Sequence, residues 1–133
     1  MNSHLMNNVE KLTFTTDNLN EADSVDFQLK TGKKSVLISL QVSEPSWVRI
    51  YKSSEQRSMD QRPGPGGTLS SFLGIGGHPC SENVTTLETE VISQNPLPLL
   101  EGDSEGLTYV RLVKRNKGSK EVTLTATTCP LPV

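Results

Sequence analysis

A chain of 133 residues with a formal net charge of −2 has room for one packed domain and not for a second core. With 33% hydrophobic and 5% aromatic residues against 10 Gly and 8 Pro, the composition describes a turn-rich domain with a thin core, so self-association is expected. The charge balance gives counterion-release binding to nucleic acid no basis, and no apolar stretch reaches the roughly 20 residues of a membrane-spanning helix.

The opening MNSHLMNNVE lacks the charged and apolar regions of an export signal, and residues 1–8 read as a flexible N-terminal arm. From Val9 to Thr16, Leu12 and Phe14 alternate with Lys11, Thr13 and Thr15, which predicts a half-buried strand. A loop rich in Asn and Asp follows around Leu19. Val25, Phe27 and Leu29 then alternate with Asp26, Gln28 and Lys30 in a second strand. After the turn at Thr31-Gly32, the alternation of Val36, Ile38, Leu40 and Val42 predicts a third, deep strand, which Glu44-Pro45 ends because proline cannot donate to the ladder.

The fourth strand carries two different faces. Val48 and Ile50 are aliphatic and belong to the core, whereas Trp47, Arg49 and Tyr51 form either a second packing face or a rim. A short helix follows near residues 53–60, with Ser53 as N-cap and Gln56 completing a capping-box pattern. Pro63 and the glycines after it stop the helix and open a Gly-rich loop over 64–80, which carries the apolar residues Leu69, Phe72, Leu73 and Ile75. These fold back on their own domain or insert into a neighbouring subunit; the sequence serves both.

Thr86 to Ser93 reads as a fifth strand, and Asn95 to Leu100 as an extended crossing segment too proline-rich for a central strand. Leu107 to Val113 and Glu121 to Thr127 read as a hairpin across Asn116-Lys117-Gly118-Ser119, its basic residues Arg111, Lys114, Arg115, Lys117 and Lys120 forming a solvated face. Residues 128–133 are left as an extended C-terminal tail. The expected architecture is an all-β, two-sheet, jelly-roll-like sandwich of seven or eight strands with one short helix, a single domain over 9–127.

Val48-Arg49-Ile50-Tyr51, then Ser53, Arg57, Asp60, Arg62 and Pro63, then the strands near Leu87, Leu99, Leu107 and Val122, form a sequence of tags. In this order they resemble a β-sandwich module of tailed-bacteriophage virion proteins found in tail, fibre and capsid-associated components. The resemblance covers roughly Val36 to Thr125. It implies a non-enzymatic virion structural protein, capsid decoration (cement) or tail-associated. It also implies a homo-oligomer, a trimer first, contacting major capsid or tail proteins and assembled in the host cytoplasm. Exposed aromatics on a small sandwich suggest a second class, a carbohydrate- or receptor-binding module with Trp47, Tyr51 and Tyr109 as the platform.

Catalytic and metal chemistry find little purchase. His78 and Cys80 with Cys129 fall short of the four paired ligands of a zinc site, and Gly74 to Gly77 lacks the Lys-Ser/Thr of a phosphate loop. Glu88, Glu90, Glu101, Asp103 and Glu105 read as solvated charges without the ligand ladder of a calcium loop. No Gly-x-Ser-x-Gly elbow occurs, and no cofactor is expected. Without an export signal, Cys80 and Cys129 are expected as thiols.

Overall fold

The computed structural model describes residues 9–62, 64, 77–85, 89–91 and 97–132. Along these residues run β1 (Glu10–Thr15), β2 (Ser24–Leu29), β3 (Lys34–Val42), β4 (Ser46–Tyr51), α1 (Ser54–Met59), β5 (Ser81–Thr85), β6 (Thr89–Val91), β7 (Leu99–Glu101), β8 (Thr108–Lys114) and β9 (Thr123–Pro130). All pairings are antiparallel. One sheet is ordered β1-β9-β3, with β6 and β7 sharing the outer edge of β3; the other is ordered β2-β8-β4-β5. With β6 and β7 taken as one edge position, each sheet is four strands wide, and the order is that of a jelly roll, a sandwich wound as two Greek keys.

Alternation along the strands builds the core between the sheets. Phe27 and Leu29 of β2, Val48 and Ile50 of β4, and Val110 and Leu112 of β8 face Leu40 and Val42 of β3 and Leu124 and Ala126 of β9. Each Val, Leu, Ile or Phe among them contributes about 1.5–3 kcal/mol when fully buried. Phe14 of β1 stacks on Phe27 with ring centroids 3.9 Å apart, tying the two sheets together at their β1 and β2 edges. Among the described residues, no helix is long and apolar enough to cross a membrane.

Several elements depart from the pattern read along the chain. In β3 the pairing with β9 slips between Leu37 and Ser39, so Leu37 is buried with Leu40 and Val42 while Val36 and Ile38 are only half-buried. A single inserted residue reverses the faces of the first half of the strand, which simple alternation cannot foresee. Ser81–Thr85 is a strand in its own right, pairing with β4, and the expected fifth strand survives as the three residues of β6. Residues 86–88 and 92–96 lie outside the described residues.

β8 and β9 do not form a hairpin, because they belong to different sheets. Lys114, expected on a solvated basic face, is completely buried, and its Nζ donates to the carbonyls of Asn116 and Gly118, both at 2.5 Å. Those bonds curl the chain into a corner that crosses to the first sheet, where Leu19 and Lys120 bridge. The tail is likewise built into the fold as far as Pro130, since Thr128, Cys129 and Pro130 pair with Leu37, Val36 and Ser35. Cys80 and Cys129 are not joined by a disulfide.

Candidate functional site

The outer face of β4 is where polarity and burial collide. Val48 and Ile50 point into the core, so Trp47, Arg49 and Tyr51 must point the other way; yet these three are 1%, 2% and 0% exposed. A buried guanidinium and phenol require partners. α1 supplies the cover: Ser53, with extended backbone, accepts a hydrogen bond from the Gln56 amide at 3.1 Å and starts the helix. The reciprocal half of the expected capping box is replaced, because Gln56 Oε1 accepts from the backbone amides of Gly77 and His78 at 2.8 and 3.2 Å.

Asp60, at the end of α1, is fully buried and is the hub. Arg62 donates to it twice through Nε and Nη2, each at 2.8 Å, and Tyr51 donates its hydroxyl proton to Oδ2. Arg49 Nη1 lies 3.0 Å from the same oxygen. Burial by itself raises the Asp60 pKa, but the hydrogen bonds from Arg62 and Tyr51 and the contact with Arg49 outweigh it and hold the carboxyl well below the usual carboxylate range. For Tyr51 burial and the Asp60 hydrogen bond act together and push the phenol above its ordinary value.

The cluster extends on both sides. Arg62 Nη1 donates to Glu82 Oε1 at 3.0 Å, and Trp47 Nε1 donates to Glu82 Oε2 at 2.8 Å, which links the hub to β5. The Arg49 guanidinium lies over the Trp47 ring, 3.5 Å from its centroid. On the β8 side, Arg111 grips Asp26 of β2 through two bonds of 2.8 and 2.9 Å and donates to the carbonyl of Asp60 at 3.1 Å. Arg57 of α1 donates to the carbonyl of Phe27 at 3.2 Å and lies 3.5 Å from Asp26. α1 is thereby fastened to three strands of one sheet.

Gly77 marks where the chain rejoins this corner. Its φ is +93°, and a Cβ there would lie 2.7 Å from the Asp60 amide nitrogen, so the position accepts glycine alone. The stretch from Pro63 to Gly76 thus leaves from Arg62 and returns at Gly77 against the same aspartate. Leu69, Phe72, Leu73 and Ile75 lie within that stretch, outside the described residues.

Of the aromatic platform, Trp47 and Tyr51 are packed beneath α1 and the Arg62 segment, which leaves no open ring face for a sugar. Tyr109 is half-buried and pairs across the ladder with Tyr51; its hydroxyl donates to Asp103 Oδ2 at 2.6 Å. Asp103 also accepts from the amides of Glu105 and Leu107 at 2.9 and 3.0 Å, so the acidic turn is closed by its own aspartate. Among the described residues no three His, Cys, Asp or Glu side chains gather to hold a metal ion.

The sequence carries Asp60 only as one tag of the resemblance and Asp26 only as a polar position of the second strand, and it gives Glu82 no role. The available signal was the Arg49 and Tyr51 pair on the second face of a central strand, because buried charge demands a counter-charge nearby. No protein-family model matches the chain, and no curated protein matches its sequence. Fold and site together define a jelly-roll sandwich whose second sheet is backed by a buried ionic clasp.

Proposed function

We propose that this protein is a non-enzymatic structural component of a tailed-bacteriophage virion, a capsid decoration or tail-associated protein that acts by symmetric packing of rigid sandwiches. The observation that carries the reading is the fate of the tag residues. Among the polar tag positions, Tyr51 and Arg62 hydrogen-bond to Asp60 and Arg49 is ion-paired with it. A module whose most distinctive polar residues are consumed in stiffening a corner is suited to load and geometry rather than to turnover. Jelly rolls serve as viral capsid and lectin domains; with Trp47 and Tyr51 buried, the lectin-like alternative loses two of its three stacking residues.

In this reading the partners are further copies of the chain, a trimer first, and major capsid or tail proteins, with Leu69, Phe72, Leu73 and Ile75 supplying apolar contact in the assembled virion. Size-exclusion chromatography with light scattering, followed by co-sedimentation with purified capsids and tails, tests it. The expected result is an oligomer, or a monomer that sediments with virion parts. A strict monomer that binds neither sinks the proposal. Replacing residues 65–75 with a short Gly-Ser linker is expected to leave the fold intact, since both flanks are fixed at Asp60, and to abolish the assembly.

A further inference from the structure

The core changes character at one end. Along the inward positions of four strands, Phe27 and Leu29 of β2 lead to Thr31, Leu112 and Val110 of β8 to Thr108, Leu40 and Leu37 of β3 to Ser35, and Leu124 and Ala126 of β9 to Thr128. All four hydroxyl residues are completely buried. The pairing of Leu29 with Thr108 and of Leu37 with Thr128, together with the short turn from Leu29 to Lys34, brings them to the same end of the sandwich. The aliphatic layer between the sheets thus closes on a layer of hydroxyls.

The two sheets treat this layer differently. On the side of the second sheet, Thr31 Oγ1 donates to Thr108 Oγ1 at 3.3 Å, and Thr108 Oγ1 donates to the Leu29 carbonyl at 3.4 Å. In the first sheet, neither Ser35 Oγ nor Thr128 Oγ1 has a hydrogen-bond partner among the described residues, although both atoms are buried. A hydroxyl so enclosed and left unbonded is costly. Ser35 stands opposite Pro130 and Thr128 opposite Leu37, so the two are diagonal neighbours on the inner face, with Cβ atoms about 7 Å apart. That is too far for one hydroxyl to bond the other and within the span of one oxygen placed between them. On its other side Ser35 faces Leu100 of β7, completely buried and without a polar side-chain atom.

We propose that a single long-lived water molecule is bound inside the sandwich here, bridging Ser35 Oγ and Thr128 Oγ1 and fastening the end of β9 to the start of β3. Each hydroxyl has one proton to give and lone pairs to accept, so the pair supplies the two polar partners that an interior water requires at the least. A metal ion is the poorer occupant, because the hydroxyls of Ser35 and Thr128 are neutral and bring no charge to balance it. The proposal is independent of the virion reading.

Oxygen-17 magnetic relaxation dispersion, which counts the waters a protein holds for longer than it takes to tumble, tests this on the full chain. The unaltered protein is compared with the double variant Ser35→Ala/Thr128→Val, in which both hydroxyls are gone and the position is apolar and dry. The expected result is a dispersion amplitude smaller by one water in the variant; equal amplitudes overturn the proposal. Thr128→Val alone keeps the shape of the side chain and separates the two cases by sign. With a water bound, a hydrogen bond is lost and Tm falls. Removing a hydroxyl that has no partner leaves Tm unchanged or raises it, and that result contradicts the proposal. Where the variants do not fold, a high-resolution crystal structure of the unaltered protein decides. An ordered water within hydrogen-bond distance of both Ser35 Oγ and Thr128 Oγ1 supports the site, and density for none between them overturns it.

Discussion

The outer faces of the two sheets are built on the same alternation and end in opposite conditions. On the first sheet, β1 and β9 present Thr13 opposite Thr125 and Thr15 opposite Thr123, hydroxyls 3.2 and 3.0 Å apart at an exposed face. On the second, β4 presents Trp47, Arg49 and Tyr51, and α1 closes over them. Threonine satisfies itself locally or with water and contributes little beyond its fit to a strand. Arginine and aspartate under a lid have no water to fall back on, so each depends on every other. One face is tolerant, the other cooperative.

That contrast is most easily broken at Asp60. Asp60→Ala leaves Arg49, Arg62 and Tyr51 buried without their shared acceptor and is expected to cost about 3–5 kcal/mol; urea unfolding measures it, and a loss under about 1 kcal/mol would mean that the clasp contributes little to the fold. Acid probes the same group without mutation. The folded pKa of Asp60 lies below its ordinary value of 3.8, so the stability it confers is complete above the unfolded pKa and is lost as pH falls below that range. Asp26, lowered by the Arg111 hydrogen bond against the desolvation of its partial burial, adds in the same direction and less, because it stays partly solvated. Thermal melts from pH 7 to pH 2 are expected to show Tm falling steeply below about pH 4, and in Asp60→Asn the slope should flatten. The smallest effect belongs to the other face: Thr125→Val is expected to change stability by no more than about 0.5 kcal/mol.

How much of this was legible in the chain depends on whether a signal is local. Ser53 as N-cap, the proline that ends β3 and the aliphatic face of β4 are written within a few residues, and each appears where those residues put it. The slip in β3 is invisible, because the residues around Ile38 alternate well in either register and only the partner strand decides. β5 was hidden by composition: Ser81-Glu82-Asn83 looks like loop, and it is strand because β4 needs an edge partner and Arg62 and Trp47 need Glu82. β8 and β9 invited a hairpin through Asn116 and Gly118. The buried Lys114, holding two carbonyls of that turn, instead makes it a corner between sheets. Asp60 is the instructive case: a polar residue ending a polar helix resembles a solvated charge until the strand it covers is known.

The chain's single tryptophan tests the central claim most directly. Trp47 lies in the clasp between Glu82 and Arg49, nearly inaccessible. Its fluorescence in the native protein is expected to be shielded from acrylamide, unmoved by oligosaccharides, and opened to the quencher by Asp60→Ala or by unfolding. A native tryptophan quenched as readily as free indole, with emission that shifts on adding sugar, would contradict the clasp and return Trp47 to the role of an exposed platform.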